Sequence, residues 1–154
     1  MKQIFALPAI ILLLSACNNA EKETTTTSPV AMEETKHAMQ NSCYAYTSNK
    51  DTVKLNLQIA SNVVTGDLKY NYFEKDKNFG TIQGSMKGDT LFADYKFLSE
   101  GMESNREVVF LKTGNDFVEG YGDVEEKSGK MVFKNTGSFK FNFNMVLKNV
   151  ACEK

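Results

Sequence analysis

Arg106 is the only arginine in a chain of 154 residues that carries 18 basic side chains. A guanidinium presents a planar, two-pronged match to carboxylate or phosphate that a lysine ammonium lacks. Arg106 stands in Ser104-Asn105-Arg106-Glu107, and Val108 and Phe110 share its face if the segment is a strand. Two roles fit these residue types. One places Arg106 at a barrel mouth, holding the anionic group of a ligand; the other pairs it with Glu100, Glu103, Glu107 or Glu119 as a structural ion pair. Tyr95, Glu119 and Tyr121 complete the candidate ligand site, since tyrosine joins an apolar body to a polar tip. Tyr70 and Tyr72 offer the same chemistry, and half-exposed strand positions would account for these tyrosines equally well.

Several kinds of chemistry lack their residues. His37 is the only histidine and precedes the expected domain, so that domain cannot use imidazole-based triads. Gly114, Gly120 and Gly122 fall among strands, and no glycine-rich phosphate loop leads into a helix. Carboxylates are scattered through the turns. The expectation is a non-enzymatic protein with no catalytic residue, no metal site and no cofactor. A formal net charge of −1 gives no basic excess, so nucleic acid is not an expected partner. Asp51-Thr52-Val53 and Asp89-Thr90-Leu91 fit a short bacterial O-glycosylation pattern, which makes Thr52 and Thr90 candidate acceptors; Asp-Thr is also common at hairpin turns.

The elements that must position these groups are strands. From Cys43 onward the apolar period is two. Val53, Leu55, Leu57 and Ile59 alternate with polar residues, and Val64, Leu68, Tyr70 and Tyr72 do so after Ser61-Asn62. Strands follow near 79–86, 91–98, 107–112, 117–121 and 131–133, with 99–105 and 125–129 read as loop and turn. Phe139, Phe141, Phe143, Met145 and Leu147 form the cleanest two-faced pattern. About eight or nine short strands joined by tight turns predict an all-β antiparallel meander. Closure removes sheet edges, so the expected fold is a small up-and-down β-barrel, with a β-sandwich as the alternative. Gly66, Gly84 and Gly120 suit the bends that closure needs.

At the amino end, Lys2 precedes an apolar run from Ile4 to Leu14 that contains Pro8. The run fits a signal-peptide core of about 7–15 residues and falls short of the roughly 20 needed to span a bilayer. Leu14-Ser15-Ala16-Cys17 resembles the lipobox of bacterial lipoproteins: branched, small, small, cysteine. That resemblance implies cleavage before Cys17 and acyl chains such as palmitate on its new terminus. It further implies a membrane-anchored protein of the cell envelope. Asn18-Asn19 carries no aspartate of the inner-membrane retention kind, which directs the expectation to the outer membrane, on either its periplasmic or its surface face. Removing residues 1–16 takes away Lys2 alone, leaving 17 basic and 19 acidic residues.

The expected organisation is therefore 1–16 signal peptide, 17–42 lipidated cysteine and Thr-rich linker, and 43–154 β-barrel domain. Thr24-Thr25-Thr26-Thr27-Ser28-Pro29 buries too little apolar surface to offset its ordering entropy. With Cys17 acylated, Cys43 and Cys152 remain at the two ends of the domain, and an exported protein resides where disulfides persist. A Cys43–Cys152 bond is expected; two free buried thiols or an intermolecular bond are the other arrangements.

With Gly80-Thr81-Ile82-Gln83-Gly84, Gly88-Asp89-Thr90-Leu91 and Glu119-Gly120-Tyr121-Gly122, the domain resembles a group of uncharacterised small bacterial lipoproteins. The architecture loosely resembles that of lipocalin-type binders, which implies a module for a small apolar or anionic ligand, or for an envelope protein. A stress-related structural module with a filled core is the alternative.

Overall fold

The structure is a computed structural model, and it describes residues 39–75 and 77–153. Cys17, His37, the predicted signal peptide and all but the last few residues of the predicted linker lie outside the described residues. Ten strands make up the rest: β1 (Gln40–Ser48), β2 (Asp51–Ala60), β3 (Val63–Asn71), β4 (Asn78–Lys87), β5 (Thr90–Ser99), β6 (Met102–Thr113), β7 (Asp116–Tyr121), β8 (Val124–Lys127), β9 (Lys130–Phe133) and β10 (Lys140–Val150). No helix occurs among the described residues.

Seven strands run as a meander, and β10 slots between β7 and β1 while β5 pairs with β6, which closes an eight-stranded antiparallel barrel. The expected barrel is what forms, rather than a sandwich. Alternation sets which residues fill it. On β2, Val53, Leu55 and Leu57 are buried while Asn56 and Gln58 are exposed, and the same period carries Leu68 and Tyr70 inward on β3. Tyr44, Leu55, Tyr95, Phe110, Phe117 and Leu147 pack the interior. Each fully buried Leu or Phe of this kind contributes about 1.5–3 kcal/mol relative to leaving it in water.

One end of the barrel carries the turns at 61–62, 88–89 and 114–115 together with the start of β1 and the end of β10. Cys43 pairs with Val150 in the β1–β10 register, and two residues on, Cys152 bonds to Cys43 with Cα atoms 5.2 Å apart. Of the three cysteine arrangements, the intramolecular bond is the one present. The opposite end carries the turns at 49–50 and 100–101, the 72–77 connection, the end of β7 and the start of β10.

Three sequence expectations are corrected. Residues 102–105 belong to β6, so the loop before Arg106 shrinks to Glu100-Gly101 and Arg106 sits within a strand rather than at its start. The segment read as a turn at 125–129 is mostly β8, with the turn at Ser128-Gly129; its run of charges hid it because no residue of β8 is buried. The first strand begins at Gln40, three residues before the predicted domain start.

The alternation of β10 is also broken. Phe141 pairs with Gly120, but Val146 pairs with Val118, so four residues, 142–145, bulge opposite Glu119 alone. This odd register shift moves the pattern to the other face. Met145 and Leu147 point into the barrel, whereas Phe143 is 61% exposed and Phe139 and Phe141 lie outside the wall. There they form an outer layer with Phe92 and Phe133, ring centroids 4.8–6.3 Å apart. Gly120 has no Cβ because that space belongs to Phe141 and Val109.

Candidate ligand site

Period-two alternation on β7 brings Phe117 and Glu119 to the inner face, which puts a carboxylate where the pattern calls for an apolar residue. Glu119 is 3% exposed and is the one buried polar residue among those described. Tyr70 of β3 donates to Glu119 Oε1 at 2.6 Å, and Tyr121 donates to Oε2 at 3.0 Å. Burial pushes the Glu119 carboxyl up from its ordinary value, and the Tyr70 hydroxyl, the Arg106 charge and the Tyr121 hydroxyl oppose that rise.

Arg106 on β6 stands opposite Tyr95 on β5. Its guanidinium lies over the rings of Tyr70, Tyr95 and Phe97, with centroid distances of 5.2, 5.7 and 5.9 Å. Cation–π attraction reaches about 6 Å, so three aromatic faces hold the group in place. Its ion pair with Glu119 spans 3.8 Å, beyond hydrogen-bond reach. The Arg106 Nε is buried and has no hydrogen-bond partner among the described residues. The cation is fixed, yet its donors are largely unspent.

Beside this pair, β6 and β7 part company beyond Val109–Gly120, and the β8–β9 hairpin enters the gap through a single parallel bridge, Arg106 to Met131. A cavity of about 300 Å³ results, lined by Arg106, Glu119 and Tyr121 from the barrel and by Val124, Met131 and Phe133 from the hairpin side. Its lining is mostly apolar. Ligand cavities commonly run from about 300 to 1,000 Å³, which places this one at the small end. Glu107 also reaches it, but Glu107 Oε2 accepts from the Phe133 backbone N–H at 2.8 Å and Oε1 faces Lys130 at 3.5 Å. Lys130 also pairs with Asp94. These contacts pin the hairpin to the wall.

Three of the four predicted ligand residues therefore converge: Arg106, Glu119 and Tyr121 line one cavity. Tyr95 does not line it. It is fully buried, donates its hydroxyl to Leu68 O at 2.9 Å, and supports Arg106 from below. Of the two roles foreseen for Arg106, the structural ion pair is present, with Glu119 as its partner, while Glu103 pairs with Lys96. Thr52 is the second residue of β2 and Thr90 the first of β5, both half-buried, next to hairpin turns at opposite ends of the barrel. The part of Tyr70 as donor to Glu119 was not assigned from sequence. The available signal was the inward acid on β7, which demands a buried donor from somewhere across the barrel. Among the described residues no cluster of three or more His, Cys, Asp or Glu is placed to hold a metal ion.

Removing the Tyr70 hydroxyl tests the balance. Tyr70→Phe leaves a buried carboxylate oxygen short of its donor, a loss of about 1–3 kcal/mol. The sign with pH follows from Glu119, whose folded-state proton affinity is raised. The folded state then binds more protons than the unfolded chain, so stability falls as pH rises from about 4.3 through the folded value and then levels off. In Tyr70→Phe that fall is expected to be larger and to extend to higher pH, as read by urea titrations from pH 4 to 8.

No protein-family model matches the chain, and no curated protein or solved structure is detectably similar to it. The fold and site together define a small closed β-barrel with a side cavity built around a buried acid and a stacked guanidinium.

Proposed function

We propose that the chain is an envelope lipoprotein, held to the outer membrane through acyl chains on Cys17, whose barrel is a non-enzymatic binding module for a small ligand with apolar and anionic parts. One observation carries the binding reading: Arg106 is held by three aromatic rings at an apolar cavity, with a buried Nε that no neighbour among the described residues satisfies. Preorganised donors beside apolar surface suit recognition of an amphiphile. The barrel axis itself is packed with side chains, so the ligand belongs in the wall beside β8 and β9 rather than down the centre. The anchor rests on the lipobox-like Leu14-Ser15-Ala16-Cys17.

The test is purification from native envelopes followed by organic extraction and mass spectrometry. A stoichiometric small amphiphile is expected with the unaltered protein and is expected to be lost from Arg106→Ala of unchanged circular dichroism. Losing a hydrogen-bonded charge contact costs about 1.5–3 kcal/mol, tenfold or more in affinity. Equal recovery from both proteins, or no small molecule from either, would remove the reading. The same spectra decide the anchor, since an unmodified thiol at Cys17 would refute it.

A further inference from the structure

Arg106 is one positive charge, and Glu119 already stands 3.8 Å from it. An anion that joins Arg106 makes two acids to one base, and the inner acid, Glu119, is closed to water. Like charges so placed do not both stay ionised. Glu119 is the member sealed in the wall at 3% exposure, whereas the guanidinium side chain is 36% exposed and is approached from the cavity.

Among the described residues, the groups packed around Glu119 are phenols and the Arg106 guanidinium, with Glu107 further along the cavity wall. Facing Glu119 are Arg106 from β6, Tyr70 from β3 and Tyr72 just beyond its end, Tyr95 from β5 and Tyr121 from its own strand. β10 supplies Met145, which is uncharged, at the Tyr72 hydroxyl. On β1, Tyr46 is close enough to act on Tyr72, as is Asp51 at the start of β2. Burial keeps the phenols of Tyr70, Tyr72, Tyr95 and Tyr121 neutral across the physiological range, with Tyr72 pushed up to about 12. Of the groups at the cavity, Glu107 is engaged by Phe133 N and Lys130, and Lys130 by Asp94 as well.

Building on the ligand-binding reading, we propose that the cavity takes a compact amphiphile with a single carboxylate, which pairs with Arg106 while Glu119 takes up one proton from solvent. The balance closes. With Glu119 ionised beside Arg106 the pair sums to zero before binding, and Arg106, the ligand carboxylate and a neutral Glu119 sum to zero after it. A dianionic phosphate ester would leave a net charge against Val124, Met131 and Phe133, and a neutral alcohol would offer Arg106 one uncharged acceptor in place of a two-pronged carboxylate. The roughly 300 Å³ volume suits a short acyl or similarly small apolar body.

The experiment is calorimetric titration of the full chain in phospholipid nanodiscs, with empty discs as reference and octanoate, octyl phosphate and octanol as probes. Measuring at pH 7 in buffers of different ionisation heat reads proton uptake directly. Close to one proton per octanoate is expected, with affinity falling about tenfold per pH unit on the alkaline side, the slope of a single linked proton. Glu119→Gln is expected to bind octanoate with no proton uptake and a flat pH profile, and Arg106→Ala to lose octanoate at least tenfold while octanol is unchanged. Octanoate binding without proton uptake, or an undiminished pH slope in Glu119→Gln, would overturn the proposal. Octanol or octyl phosphate binding as tightly as octanoate would overturn it while leaving the binding reading intact. No binding of any probe would sink both.

Discussion

Cys152→Ser combined with Cys43→Ser is expected to lose about 4.7 kcal/mol of folding stability, the chain-entropy value for a loop of about 100 residues. The bond joins residues 109 apart, so in the reduced chain nearly the whole domain regains the freedom of an open polymer. Typical domains hold only about 5–15 kcal/mol in total, so the variant will stand close to unfolding at physiological temperature. Conversion through the unfolding entropy of a domain of this size gives a melting temperature lower by roughly 20 °C. Circular dichroism on heating, with and without dithiothreitol, reads it. Reductant should lower the wild-type midpoint and leave the double serine variant untouched. A midpoint within a few degrees of wild type would mean that the β1–β10 ladder alone closes the barrel.

Gly84→Val is expected to prevent folding outright. Gly84 of β4 faces Ala93 of β5, and a Cβ there would land on the Phe92 carbonyl oxygen and 2.6 Å from the Ala93 Cα. These are backbone atoms of the neighbouring strand. They yield only if the two strands separate and the ladder hydrogen bonds break, which exceeds the roughly 1–3 kcal/mol of ordinary overpacking. Gly88 makes the control. It turns the β4–β5 hairpin with φ of +59 and has open space around its missing Cβ, so Gly88→Ala costs only the left-handed conformation, about 1–2 kcal/mol. Soluble yield and urea midpoints of the two variants separate the causes: insoluble Gly84→Val against a folded, mildly weakened Gly88→Ala. Folded Gly84→Val would mean that β4 and β5 approach less closely than described.

The wall of the barrel was legible because its inner face is dry. On β2 and β5 the alternation of Val53, Leu55 and Leu57, and of Leu91, Ala93 and Tyr95, leaves no ambiguity about direction. Legibility failed where that dryness ends. Met102 to Asn105 form the rim of β6, exposed or half-exposed, and so carry the polar residues of a loop. The β8 strand has no buried residue and reads as a charged turn. The Phe139-to-Leu147 pattern was seen, yet its continuity misled, since the 142–145 bulge sends Phe139 and Phe141 outside and Met145 inside. Nothing in alternation announces a slip that keeps apolar residues on both sides of a wall. At the site, Arg106 and Glu119 were visible as residue types out of place. The Tyr70–Glu119 bond was not, because it spans 49 positions and depends on how a closed barrel folds across itself.

The sulfur clasp has a mechanical consequence. The chain enters the barrel at Gln40, and Cys43 lies only three residues inside that point. A pull applied through the preceding segment would peel Gln40, Asn41 and Ser42 away from β2 one rung at a time, as a zipper opens. The peeling stops at Cys43, where the force passes covalently into Cys152 and the far end of β10. The rungs beyond Cys43 would therefore be spared, and the cavity at the opposite rim would keep its shape under such a pull.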